Sequence, residues 1–309
     1  MNTPAARPAP YAHAMAIAAI TLFSAKPIFI KWAFAHGIDA SQLMMLRLLM
    51  AAPLFALAGL WVVRNHRSTL RDVGIAAGLG VLGSYISGLL DMTGLMYINA
   101  QLERMLLFTY PIFTVLLSWV IYKRRPSRAI YLCIVMTYAG LALMFSNDLS
   151  QQGEGVITGT LLVLASALLF ALYMVLSRAP IQRMGAIPFT AVAMLSSTLV
   201  MGVHQGLLAP GQLSLAHLTG YSPEVYGLTA GLAVFCTFIP ALLGSEAVRQ
   251  LGPEQVSLLG NGGPVITTAL AVLLLNETFT PWHAAGMGMI LAGLWLLQHP
   301  PAALIAARS

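Results

Sequence analysis

Charge is what this sequence has least of. Only 8% of its 309 residues are Asp, Glu, Lys or Arg, against about a quarter in ordinary soluble proteins. So few charges cannot cover a soluble globule of this size. With 58% of residues hydrophobic, the surplus apolar surface needs a lipid bilayer as its solvent. The chain also lacks an HExxH zinc motif and a GxGD aspartyl pair, and of its ten acids only Asp91 falls deep inside an apolar run. Metal-assisted and carboxylate-dyad hydrolysis therefore lack their parts. No GxxxxGK[ST] phosphate loop occurs, which argues against an ATP-driven pump. The two cysteines, Cys133 and Cys236, both sit in apolar runs and read as small hydrophobic packers. No catalytic residue, metal site or cofactor is expected.

The formal net charge of +6 does not point to nucleic acid, because the 16 basic residues stand singly or in short clusters between apolar runs. That is the pattern of membrane orientation. Stretches of about 20 apolar residues, long enough to cross ~30 Å of hydrocarbon, follow one another at 11–35, 40–63, 73–97, 101–122, 128–146, 156–178, 187–208, 223–247, 253–275 and 281–298. Arg7 ahead of the first run resembles a secretory leader, but no small-x-small cleavage site follows before Lys26, so this run is read as a helix. The expected fold is an all-α integral membrane protein with ten transmembrane helices. With the N-terminus in the cytoplasm, twelve basic residues fall on that side: Arg7, Arg64, Arg67, Arg71, Lys123, Arg124, Arg125, Arg128, Arg178, Arg183, Arg249 and Arg308. The opposite side receives "NDLSQQGEG" at 147–155, a 209–222 loop free of Lys and Arg, and Glu277. The positive-inside rule is thus met with both termini cytoplasmic.

Residues 101–146 overlay 254–299 without gaps at a shift of 153, placing Pro111 on Pro264, Thr114 on Thr267 and "MTYAGLAL" (136–143) on "MILAGLWL" (289–296). A shorter overlay sets "LFSAKPIFIK" (22–31) near "LFALYMVLSR" (169–178). The chain reads as two five-helix repeats, 1–150 and 151–309. Because five is odd, they enter the membrane in opposite senses, which is the inverted-repeat plan of secondary transporters.

The stretches "GLMYINAQLERMLLFTYPIFTVLLSWVIYKRRPSRAIYLCIVMTYAGLAL" (94–143) and "VSLLGNGGPVITTALAVLLLNETFTPWHAAGMGMILAGLWLL" (256–297) resemble the drug/metabolite transporter superfamily, in its ten-helix form of two EamA domains. The likeness lies in a proline-bearing helix, an acid-and-polar turn and a glycine-bearing closing helix, and it covers nearly the whole chain. The first turn departs from it, with "KRR" (123–125) where the family carries glutamate. The resemblance implies a central cavity between helices 1, 3, 4, 6, 8 and 9, with helices 5 and 10 outside. It also implies alternating access and often the export of amino acids or related metabolites from bacterial cells.

Lys26, about 22 Å into its helix at 1.5 Å per residue, cannot snorkel to either surface, and a charge at that depth costs at least ~2.5 kcal/mol. Pro27 next to it leaves the Phe23 carbonyl without its helical donor. Lys26 therefore either faces a substrate carboxylate or forms a fixed pair with Asp91. Lys31 lies nearer the outer end and is expected to snorkel. Asp91 shares a polar face with Ser84 and Gly88 at i, i+4 and i+7, and proton coupling through it is one expectation. Glu103 and Tyr110 lie on one face of helix 4, with Arg104 pointing elsewhere because adjacent residues do not share a face. "GNGGP" (260–264) interrupts helix 9 where Pro111 interrupts helix 4, and paired interruptions point to a binding site. Asn261 is the side chain placed there, with Tyr85 and Tyr173 as aromatic walls.

The leading functional reading is a secondary exporter of small polar metabolites such as amino acids, in the bacterial inner membrane. Lys26 with Asp91 offers opposite charges to a zwitterion's ends. The alternatives are an exporter of cationic or hydrophobic drugs, a metabolite importer and, more remotely, a membrane-embedded enzyme. Partners are the lipid bilayer and a small-molecule substrate, with either a monomer or a homodimer compatible with the sequence.

Overall fold

The computed structural model describes residues 11–63, 69–123, 128–152, 155–208, 218, 220–251, 259–260 and 262–298. Ten helical segments run through them, and no strand occurs among the described residues. Two are broken: α1 (Ala12–Ser24 and Lys26–Ala35) and α4 (Ala100–Leu107 and Tyr110–Tyr122). Two carry an internal π-helical turn: α3 (Leu70–Gly80, Val81–Ile86, Ser87–Gly94) and α8 (Pro223–Ala233, Val234–Phe238, Ile239–Leu251). The others are α2 (Ala40–Val63), α5 (Arg128–Gln152), α6 (Gly155–Met184), α7 (Ala186–Leu208), α9 (Gly263–Leu275) and α10 (Pro281–Gln298). Seven segments are by themselves long and apolar enough to cross a bilayer.

The inverted repeat is written into backbone geometry. Leu70 and Pro223 open α3 and α8 exactly one repeat of 153 positions apart, and Val81 and Val234 begin their π turns at the same offset. The break in α4, where the Thr109 amide donates to the Leu106 carbonyl at 3.0 Å, returns as Gly262 donating to Leu259 at 3.1 Å. Lys123 and Asn276, which end the paired helices, are the non-glycine residues with positive φ, at 53° and 54°. A left-handed residue is a frequent helix stop, and asparagine tolerates it better than most. These matched breaks, π turns and helix stops are shared by the two repeats, whereas the break in α1 has no counterpart in the continuous α6.

Several boundaries depart from those read off hydropathy. The first span is interrupted at Ala25, because Pro27 has no amide to donate and the turn tightens, with Ala25 donating to Leu22 at 3.2 Å. The helix read at 73–97 begins and ends three residues earlier, its start set by Thr69, whose hydroxyl accepts from the Asp72 amide. The expected face of Ser84, Gly88 and Asp91 is also lost, since the π turn over Val81–Ile86 rotates Ser84 out of α-helical register.

Helices α5 and α10 pack on each other through glycine. A Cβ built on Gly140 would lie 2.5 Å from the Gly286 carbonyl oxygen, and one on Gly286 would lie 2.6 Å from that of Gly140. This is the small-residue contact that lets membrane helices approach closely without a hydrophobic driving force. Gly140→Val should therefore lower the thermal unfolding temperature of detergent-solubilised protein, by about 1–3 kcal/mol of stability. Gly288→Ala, which meets nothing within 4 Å, should leave that temperature unchanged.

Candidate functional site

Pro27 sets the site by breaking α1. The break tightens the turn before it, so that the Phe23 carbonyl accepts a backbone amide in the cap instead of its α-helical donor, and it leaves the Ser24 carbonyl to find a donor elsewhere in the hydrocarbon. Arg104 Nη2 of α4 donates to the Phe23 carbonyl at 3.2 Å, and the Thr267 hydroxyl of α9 donates to the Ser24 carbonyl at 2.8 Å. A charged side chain from one repeat and a hydroxyl from the other thus close the same gap. Arg104 also lies 5.4 Å from the Phe23 ring centroid, and Lys26 Nζ lies 5.9 Å from it. Both distances are within cation–π range.

Lys26 opens the second part of α1, and its ammonium meets Asp91 Oδ2 at 2.5 Å. Asp91 stands in the last turn of α3 and is 2% exposed. The Glu103 carboxyl, in the first turn of α4, lies close enough to that of Asp91 for the two to interact electrostatically. Arg104 bends back so that its Nε is 3.9 Å from Glu103 Oε2, an electrostatic contact longer than a hydrogen bond. Two cations and two acids, all buried, therefore meet where three helix ends converge. Opposite charges set side by side are what allows such groups to be kept in a low-dielectric interior.

The cluster is not saturated. Asp91 Oδ1, Glu103 Oε2 and Arg104 Nε have no hydrogen-bond partner among the described residues. Unused acceptors and a donor beside one another are what a polar ligand needs to bind without leaving any group desolvated. Arg47 of α2 completes the charged surroundings: its Nη2 donates to Met44 Sδ at 2.8 Å, and its Nε has no hydrogen-bond partner among the described residues. A Cβ on Gly88, three residues before Asp91, would lie 3.5 Å from Arg47 Nη2.

The remaining sequence candidates fall in different places. Tyr110 and Tyr173 lie in one aromatic row, in which Tyr110 meets Phe170 edge-on at 5.3 Å and Phe170 stacks on Tyr173 at 5.9 Å. Tyr173 presses against the π turn of α3, where a Cβ on Gly83 would come within 2.4 Å of its ring. Tyr110 follows the α4 break, so it does not continue the face of Glu103 as an unbroken helix would require. Tyr85 turns from the charged cluster towards α7, its hydroxyl in contact with His204 Nδ1. Asn261 lies outside the described residues. Sequence reasoning set Arg104 aside and missed Thr267. The signal that points to both is the break itself: a proline in mid-membrane exposes carbonyl lone pairs that donors from other helices can reach.

Lys26→Met should leave Asp91 buried without its ammonium and destabilise the protein by about 3–5 kcal/mol. Adding Asp91→Asn should recover most of that loss, as read by thermal unfolding in detergent.

The model of the EamA-like transporter family matches residues 10–146 and again 157–298. "Uncharacterized transporter YcbK" of Bacillus subtilis (strain 168) is 28% identical over 269 residues, covering 86% of each chain. "Uncharacterized transporter sll1319" of Synechocystis sp. (strain ATCC 27184 / PCC 6803 / Kazusa) is 24% identical over 277 residues, covering 83% of this chain and 79% of the relative. A solved crystal structure, 18% identical, superposes with a TM-score of 0.65 over 98% of this chain and 100% of its own, a likeness of fold. With two family matches tiling the ten helices and a broken-helix centre between them, this chain belongs to the EamA-like transporter family.

Proposed function

We propose that this transporter exports small zwitterionic metabolites, such as amino acids or their derivatives, by alternating access across a bacterial inner membrane with both termini in the cytoplasm. The observation that carries this reading is the Lys26–Asp91 pair with its unused neighbours. A zwitterion's carboxylate replaces Asp91 against Lys26 and Arg104, while its ammonium takes the free oxygens of Asp91 and Glu103. A zwitterion is itself neutral, so its binding adds no net charge to the buried site.

Two carboxyls this close do not readily hold two negative charges. We read Asp91 and Glu103 as the pair that takes up one proton when the substrate ammonium leaves, coupling export to a proton gradient. An imposed pH gradient should then accelerate substrate exchange in proteoliposomes of the wild type, and should leave the Glu103→Gln rate unchanged.

The deciding experiment compares small molecules released by cells producing the wild type with those released by cells producing Lys26→Met/Asp91→Asn at matched membrane abundance. An amino-acid-like compound released only by the wild type is the expected result. Equal release by both would remove the pair from the substrate path. Release of cationic drugs alone, or accumulation inside the cell, would replace the reading by a multidrug exporter or an importer.

A further inference from the structure

Lys31 of α1 lines a pocket formed by both repeats. It is five residues beyond Lys26 on α1, about 7.5 Å along the axis and 140° around it, and it lines a cavity of about 420 Å³ with Met96, Tyr97, Asn99, Leu275 and Glu277. That volume is within the range that holds a small metabolite. The cavity lies where the α3–α4 and α9–α10 connections meet the second part of α1, so both repeats form its wall. Glu277 is the acid that lines the pocket with Lys31, and the field of Glu103, in the neighbouring buried cluster, also reaches the ammonium. Glu277 is fixed in place: its two oxygens accept the amides of Ala100 and Gln101, at 2.7 and 3.2 Å. Each carboxylate oxygen retains a further lone pair for a ligand.

We propose that this cavity is a second binding site for a zwitterion, at the mouth of the path, with Lys31 taking the carboxylate and Glu277 the ammonium. It repeats the charge order of Lys26 and Asp91 at one step along α1, so a substrate passing between the two sites exchanges one opposite-charge pair for another. The identity of the ligand class rests on the proposed function; the site itself rests on the cavity and its two charges.

The test reads the cavity and not transport. In a Cys133→Ala/Cys236→Ala background, Met96→Cys places one thiol on the cavity wall, at a side chain 47% exposed. Purified protein in nanodiscs is labelled with anionic and with cationic methanethiosulfonates. Lys31→Gln should lower the anionic-to-cationic rate ratio by about fivefold or more, the effect of losing one nearby charge in a partly aqueous site. Lys31→Arg should keep the ratio. Millimolar L-leucine should slow labelling in the Lys31 protein and not in Lys31→Gln, while acetate or ethylammonium should protect less. If Met96→Cys does not fold, Tyr97→Cys, at 46% exposure, takes its place. A ratio indifferent to Lys31, a thiol that does not label, or protection that persists in Lys31→Gln would overturn the proposal. Intact labelling and protection alongside a silent export assay would instead locate the failure in the proposed function.

Discussion

The structure depends on how the gap in α1 is closed. A proline in a membrane helix leaves carbonyls that no water can satisfy, and each unsatisfied group costs several kcal/mol in hydrocarbon. Arg104 and Thr267 reach those carbonyls from α4 and α9, the equivalent helices of the two repeats. Closing the gap therefore joins three helices at one point. It also brings a guanidinium into the membrane interior, and that charge requires acids around it. Glu103 and Asp91 follow from this requirement, and Lys26 pairs with Asp91.

The α4 break and the π turns recur at equivalent points because the fold is a repeat, while the α1 break and the buried charged cluster belong to the first repeat. The α4 break at Thr109 and the turn at Gly262 share hydrogen-bond topology, and the π turns of α3 and α8 share their offset. Asp91, however, corresponds to Gly244, and Lys123 to Asn276. A symmetric frame supports two exchangeable conformations, which is the basis of alternating access. An asymmetric charge set gives that frame a single polar centre.

The aromatic residues serve a different purpose from the charges. Tyr110, Phe170 and Tyr173 form a continuous edge-and-face row, and the π turn of α3 provides Gly83 as the flat place on which Tyr173 rests. A π turn adds a residue without ending the helix, so it re-aims the side chains on either side of it. That is how Tyr85 comes to face His204 on α7 while Asp91, on the same helix, faces Lys26.

Hydropathy and the spacing of repeats were enough to determine an all-α membrane protein of ten helices in two inverted sets, because the bilayer acts on each segment by its length and polarity alone. The cost of a mid-membrane lysine, and the carbonyl that Pro27 frees, were equally local and equally legible. Partners were not. Neighbouring residues on an ideal helix do not share a face, yet Arg104 folds back beside Glu103 in the first turn of α4 because the Phe23 carbonyl waits there. The length of the Lys31 side chain was legible in the sequence, whereas its place beside Glu277 in one pocket depends on the approach of the α9–α10 turn. Periodicity fixes which way a side chain starts; what it meets is decided by helices distant in sequence, whose approach is set by breaks, π turns and glycine contacts that act together only in the packed bundle.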